Sequence, residues 1–187
     1  MCLILIGKGA SGKDTVKDIL VNKYGFHSLI TYTTRKPRAG EVQDVTYHYI
    51  SRDEFLKKVD DGFFAEWKSY IVNGEIWYYG SAKEDFENAD ENTVVILTPD
   101  GVNDIRVNNI KATVIYLYAN INTIKKRLGK RNDKNDKIED RIQRDIKLFK
   151  NADMIADKIV YNNDEMDINN VVDNVLFNYR KARDEKK

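Results

Sequence analysis

Two hydrophobic patterns alternate along the chain. Short apolar runs at Leu3–Ile6, Thr93–Leu97, Ala112–Tyr118 and Lys158–Tyr161 predict buried strands. Apolar residues three and four apart predict the helices between them. Val16, Ile19, Leu20 and Tyr24 line the first, with Gly25 as its C-cap, and further helices are expected at Val102–Ile110 and Ile121–Leu128. Ile138, Ile142, Ile146 and Phe149 share one helix face, and Ile168, Val172, Val175 and Tyr179 line a closing helix whose tail, Lys181–Lys187, should fray. Apolar strands separated by helices imply a parallel sheet covered on both sides, an α/β fold.

Between about Arg35 and Ser81 the pattern changes. Ser28–Thr31 reads as a second strand and leads into a polar stretch, Thr33–Glu41, whose proline and glycine forbid a regular element. Ser51 and Glu54 have capping-box spacing ahead of a short helix with Phe55 and Val59 on its buried side. Phe63–Ile71 and Glu75–Tyr79 read as a hairpin around Asn73-Gly74. This middle region is small, mixed and strand-rich. Lys130–Lys137, charged and without an apolar anchor, is expected to be a mobile loop.

Composition narrows the classes without choosing among them. A chain of 187 residues fits one domain, and 31 Lys+Arg against 30 Asp+Glu give a net charge of +1, so no global field points to nucleic acid or a membrane surface. The one cysteine, Cys2, cannot form an intrachain disulfide, and no apolar run reaches transmembrane or signal-peptide length. A cytoplasmic protein is expected.

The chemistry gathers at three places. Gly7, Lys8, Gly9, Ala10, Ser11, Gly12 and Lys13 follow a predicted strand, open a helix and fit G-x-x-x-x-G-K, where backbone N–H groups and a lysine cradle phosphates. The last motif position, ordinarily Ser or Thr on Mg²⁺, is Asp14, and the hydroxyl follows at Thr15. A carboxylate can ligate Mg²⁺; alternatively it suits the helix dipole. Arg35 and Arg38 form a local positive cluster fit for a second phosphate, or a solvated basic turn. Tyr47, Glu66-Trp67, Tyr78-Tyr79 and Ser81 are either a polar pocket or strand packing. Arg127, Arg131 and Arg141 surround the charged loop and can clamp a phosphoryl group or face solvent.

In order and nearly in register, Thr33–Glu41, Tyr47, Ser51–Phe55, Phe64–Trp67, Tyr78–Ser81, Lys125–Leu128, Arg131, Arg141 and Ile159–Asn163 resemble the guanylate kinases. The resemblance implies a P-loop NTPase-type parallel sheet flanked by helices, with an inserted small mixed α+β monophosphate-binding domain and a mobile lid. On this pattern residues 1–32 and 82–187 are the core, 33–81 the insertion and about 128–145 the lid. It implies transfer of the γ-phosphoryl of ATP, with Mg²⁺, to GMP or dGMP, and implies no nucleic-acid, membrane or protein partner. By matching position, Arg35, Arg38, Tyr47 and Tyr79 would hold the acceptor phosphate, and Thr31, Glu66, Ser81 and Asp100 its base. Arg127, Arg131 and Arg141 match the phosphoryl clamp, Asn162 falls where the adenine of ATP is met, and Lys13 takes the donor phosphates. Rival readings are a kinase for another monophosphate or a phosphorylated sugar, and a non-catalytic phosphopeptide-binding module.

Overall fold

The computed structural model describes residues 1–38, 40–72, 74–130 and 138–186. Arg131, all of the expected loop Lys130–Lys137 except Lys130, and the expected turn residue Asn73 lie outside them. The chain divides into two compact units, one of residues 1–28, 90–100 and 111–187, the other of 29–89 and 101–110.

The first unit is built on β1 (Cys2–Ile6), from which α1 (Lys13–Tyr24) follows across the glycine loop. Gly25 takes a left-handed φ of 72° and returns its N–H to the Leu20 carbonyl, ending α1 as expected. Next come β2 (His27–Ser28) and, after the second unit, β7 (Thr93–Ile96). Then β8 (Ala112–Tyr118), α5 (Ile121–Lys130), α6 (Ile138–Leu148), α7 (Ala152–Ile155), β9 (Lys158–Tyr161) and α8 (Ile168–Asp184) complete the unit. The five strands are all parallel, in the order β2-β7-β1-β8-β9. β1 is central and every one of its residues is buried, which explains its unbroken apolar run.

Leu3, Leu5, Val16, Leu20, Val172, Val175 and Tyr179 belong to one core cluster, and Ala10, Ala119, Ile124, Leu128 and Ile142 form another beneath the loop. Three expectations need correction. Tyr24 is not on the buried face; it is exposed and donates to Asp173 at 2.9 Å. Ile146 likewise lies outside the core. The tail is tied rather than frayed: α8 runs to Asp184, Lys186 Nζ reaches Asp157 Oδ2 at 2.6 Å, and Arg183 pairs with Glu91 at 2.8 Å.

The second unit contains β3 (Tyr32–Thr33), β4 (His48–Tyr49), α2 (Arg52–Asp60), β5 (Phe64–Val72), β6 (Glu75–Ala82) and α3 (Lys83–Glu87). The helix α4 (Pro99–Val107) begins in the first unit and continues in the second. Its sheet order is β4-β3-β6-β5. Of the stretch read as a strand at Ser28–Thr31 only Ser28 is a strand residue, paired with Val94; the next strand begins at Tyr32, which pairs with Gly80 in the other sheet. Thr33, assigned to an irregular stretch, is therefore a strand residue. Ser51 accepts the Glu54 N–H at 3.1 Å and starts α2, burying Phe55 against Phe64 and Tyr78. Proline at the first position of α4 sets its start three residues earlier than the apolar pattern indicated. Among the described residues no helix is long and apolar enough to cross a membrane.

Candidate active site

The glycine loop leaves the carboxyl end of β1. A side chain on Gly7 would collide with Ser11 Oγ at 2.5 Å and the Leu117 carbonyl at 2.6 Å, so the tight turn admits no Cβ. Gly12, the N-cap of α1, has φ 98° and the Asn162 amide packed where a Cβ would stand. Ala10 shares the left-handed region at φ 59°, and Ser11 is fully buried with no partner for its Oγ among the described residues. Lys13 folds back to donate to the Gly7 and Lys8 carbonyls at 2.7 and 3.0 Å. Asp14 and Thr15 are exposed in the first turn of α1. Since Gly12 holds the cap, Asp14 follows the loop without closing the helix end.

Two other segments brace this loop. Asn162 is 3 % exposed; its amide donates to the Ser11 carbonyl at 2.8 Å and accepts from Arg127 Nη2 at 3.4 Å. Its side chain meets the loop backbone. Arg127 also reaches the Ala10 carbonyl at 3.3 Å and is oriented by Asp164 at 3.2 Å. From α6, Arg141 Nε lies 3.1 Å from the place of a Gly9 Cβ, and Asp145 accepts the Gly9 N–H at 2.6 Å. A carboxylate oxygen thus occupies one backbone donor of the glycine loop.

The second unit carries a cation cradle. Arg35, 5 % exposed, makes a two-pronged pair with Glu41 at 2.8 and 2.9 Å and donates through Nε to Tyr79 Oη at 3.2 Å. Tyr47 lies against the guanidinium, 5.4 Å from ring centre to Cζ. Burial is the largest influence on Arg35 and works against its charge, but the Glu41 hydrogen bonds, Tyr79 and the Glu41 charge together outweigh it and hold its proton more tightly. The same hydrogen bonds hold the Glu41 carboxyl at about 2. Glu41 further accepts from Tyr49 Oη at 2.8 Å and from the Arg38 N–H at 2.7 Å, while the Arg38 side chain is exposed. Glu41 was visible only as part of a polar stretch, and Tyr49 carried no sequence signal of its own.

Glu66 and Ser81 meet across β5 and β6. A bulge sets Phe64 opposite Ala82 but Glu66 opposite Ser81, and Ser81 Oγ donates to Glu66 Oε1 at 2.6 Å. Glu66 is 8 % exposed, and burial pushes its carboxyl up to about 7 despite the Ser81 hydrogen bond. Thr31 is half-buried and its carbonyl accepts the His48 N–H at 2.9 Å. Asp100 is exposed in the first turn of α4. Tyr78 packs in the cluster with Phe55 and Phe64, whereas Trp67 is exposed. No group of three His, Cys, Asp or Glu residues fit for a metal occurs among the described residues.

A central parallel strand running through a lysine-bearing glycine loop into a helix is the architecture of the P-loop α/β class, and this chain has it. A family model for guanylate kinase matches residues 1–179. The guanylate kinase of Campylobacter jejuni (strain RM1221) is 32% identical over 149 residues, covering 75% of this chain and 71% of that one. That of Fusobacterium nucleatum subsp. nucleatum is 30% identical over 166 residues, covering 86% and 87%. The crystal structure of guanylate kinase from Anaplasma phagocytophilum matches the fold with a TM-score of 0.71 at 20% identity, over 97% of this chain and 85% of that one. The chain belongs to the guanylate kinase family, a family of phosphotransferases.

Proposed function

We infer that the protein transfers the γ-phosphoryl group of ATP to GMP or dGMP, giving ADP and the nucleoside diphosphate. The observation that carries the acceptor is the buried Glu66 carboxylate held by Ser81. Guanine offers N1–H and the 2-amino group as adjacent donors to one carboxylate, whereas adenine has an unprotonated N1 and no such amino group. A site built on those bonds rejects the wrong base because its buried oxygens stay unpaired.

The acceptor phosphate is already a nucleophile, so no covalent intermediate is required and catalysis is in-line positioning with charge neutralisation. Lys13, now turned onto loop carbonyls, exchanges them for donor phosphate oxygens. Arg127, held by Asp164, and Arg141 beside Gly9 are assigned the phosphoryl charge, a role their nearness to the loop supports, and we extend it to Arg131. Arg35 is pre-oriented by Glu41 and Tyr79 toward the acceptor phosphate, with Arg38, Tyr47 and Tyr79 completing the cradle. Thr31 and Asp100 join Glu66 and Ser81 at the base, and Asn162 keeps the loop shaped for the donor.

The loop also suits Mg²⁺, which binds through one or two carboxylates, waters and substrate phosphates. Asp14, exposed immediately after Lys13, supplies a hard oxygen there, with the Thr15 hydroxyl beside it. Bound, the ion neutralises phosphoryl oxygens. The substrates are soluble nucleotides, and we place the reaction in the cytoplasm. Coupled detection of ADP with GMP, dGMP, AMP and UMP as acceptors tests the reading. Turnover limited to the guanine nucleotides is expected, and equal rates with AMP or no ADP release with GMP would overturn it.

A further inference from the structure

We propose that Asn108 is a positioning residue for guanine recognition, holding the β5 bulge that aims Glu66; this rests on the reading of Glu66 as the base-contacting carboxylate. The bulge inserts Ala65 between Phe64, opposite Ala82, and Glu66, opposite Ser81. Side chains alternate along a strand, so the extra residue is what brings Glu66 and Ser81 onto one face. Ala65 is buried, and its carbonyl accepts a side-chain donor from outside the two strands.

That donor is Asn108 Nδ2, 2.9 Å away. Asn108 is itself fixed by the way α4 ends. Asn109 takes a left-handed φ of 58°, its N–H returns to the Arg106 carbonyl at 3.0 Å, and the Ile110 N–H returns to Ile105 at 3.0 Å. This is a Schellman motif with Asn108 at the C-cap. Its Nδ2 also donates to the Asp104 carbonyl at 3.0 Å, so the amide is locked between helix and bulge. One turn earlier on the same helix, Asp104 pairs with Lys68 at 2.7 Å. Residues 65 and 68, on either side of Glu66, are thus both tethered to α4. From the other strand, Gly80 closes the bulge: a Cβ there would meet Phe64 at 2.9 Å and the Glu66 carbonyl at 3.1 Å.

The chemistry of position 108 is restrictive. Aspartate has the same shape, but its carboxylate would face two carbonyl oxygens and offer no donor. Alanine would remove the side-chain donor from the Ala65 carbonyl. Either change lets the bulge slip and misplaces the Glu66 carboxylate, whose hydrogen bonds to the base depend on position to a fraction of an ångström.

The test compares GMP with inosine monophosphate, which keeps N1–H and lacks the 2-amino group, in wild type, Asn108→Asp and Asn108→Gln. For Asn108→Asp the KM for GMP should rise about tenfold, the KM for ATP and the saturated kcat should stay within about twofold, and the preference for GMP should shrink. Asn108→Gln keeps the amide donor and should recover part of the preference. In a Glu66→Gln background Asn108→Asp should cost no further selectivity, since the reader it positions is gone. A role confined to ending α4 would lower Tm and leave the GMP preference intact. That result, or additive losses in the double variant, overturns the proposal. A wild type without preference for GMP instead overturns the reading of Glu66, and this inference with it.

Discussion

Glu66→Gln separates what Glu66 costs the empty protein from what it contributes to the bound one. Burial raises the carboxyl from an ordinary 4.5 to about 7. Between those values the folded state keeps a proton that the unfolded state releases, so stability falls as pH rises through this window and levels off above about 7. Across pH 5 to 8 this amounts to roughly 2–3 kcal/mol for a single group. Glutamine has the same shape, still accepts from Ser81 and does not titrate. Urea denaturation without nucleotide should therefore show the variant gaining on wild type by roughly 2–3 kcal/mol between pH 5 and pH 8. A stability difference independent of pH would refute the buried, proton-retaining carboxyl.

Nucleotide reverses the order. Guanine donors need an ionised acceptor, so GMP affinity in wild type should strengthen as pH rises through 7, with about a tenth of the carboxyl ionised at pH 6. The nucleotide phosphate has its own second proton near pH 6, and the same titration in Glu66→Gln reports it separately. In the variant, kcat/KM for GMP should fall by on the order of 10²-fold or more and its lead over AMP should narrow. Full retention of the GMP preference would show that another group reads the base.

Lys13→Ala should cut kcat by on the order of 10³-fold with little change in Tm, because it removes a cation from a preformed loop; near wild-type turnover at saturating ATP would contradict this. Asp14→Asn should raise the Mg²⁺ concentration for half-maximal activity; an unchanged Mg²⁺ dependence with slightly lower Tm would reduce Asp14 to a partner of the helix dipole. Asp145→Asn should tighten ATP binding by about tenfold in calorimetry, since ATP no longer has to displace a carboxylate from the Gly9 N–H. Equal or weaker binding would mean that the Gly9–Asp145 bond does not compete with the donor.

The sequence carried the sheet, the loop and the residue types of both half-sites because each depends on local pattern. β1 is buried on both faces and so must be apolar throughout, and a turn as tight as Gly7 and Gly12 make excludes other residues. What it did not carry depends on where one residue of a strand or helix ends up relative to another. Ser28 and Tyr32 lie four apart in one short stretch, yet they pair in different sheets, and no periodicity marks the crossing. The tail looked loose because charges dominate it; its order comes from Glu91 and Asp157, distant in sequence. The sites divide in the same way. Arg35 was legible as a phosphate fork, but its orientation is imposed by Glu41 and by Tyr79, 44 residues away. Glu66 was legible as a carboxylate, but the property that would make it a selective reader, a buried position with a raised proton affinity, comes from the bulge at Ala65. A bulge is a mismatch in length between two strands, and a single strand read by itself cannot show it. Residues such as Asn108, Asp145 and Asp164 therefore escape sequence reading: each is an ordinary polar side chain at a helix end, on a helix face or in a loop until the fold puts it within hydrogen-bond reach of a backbone or guanidinium group of the site.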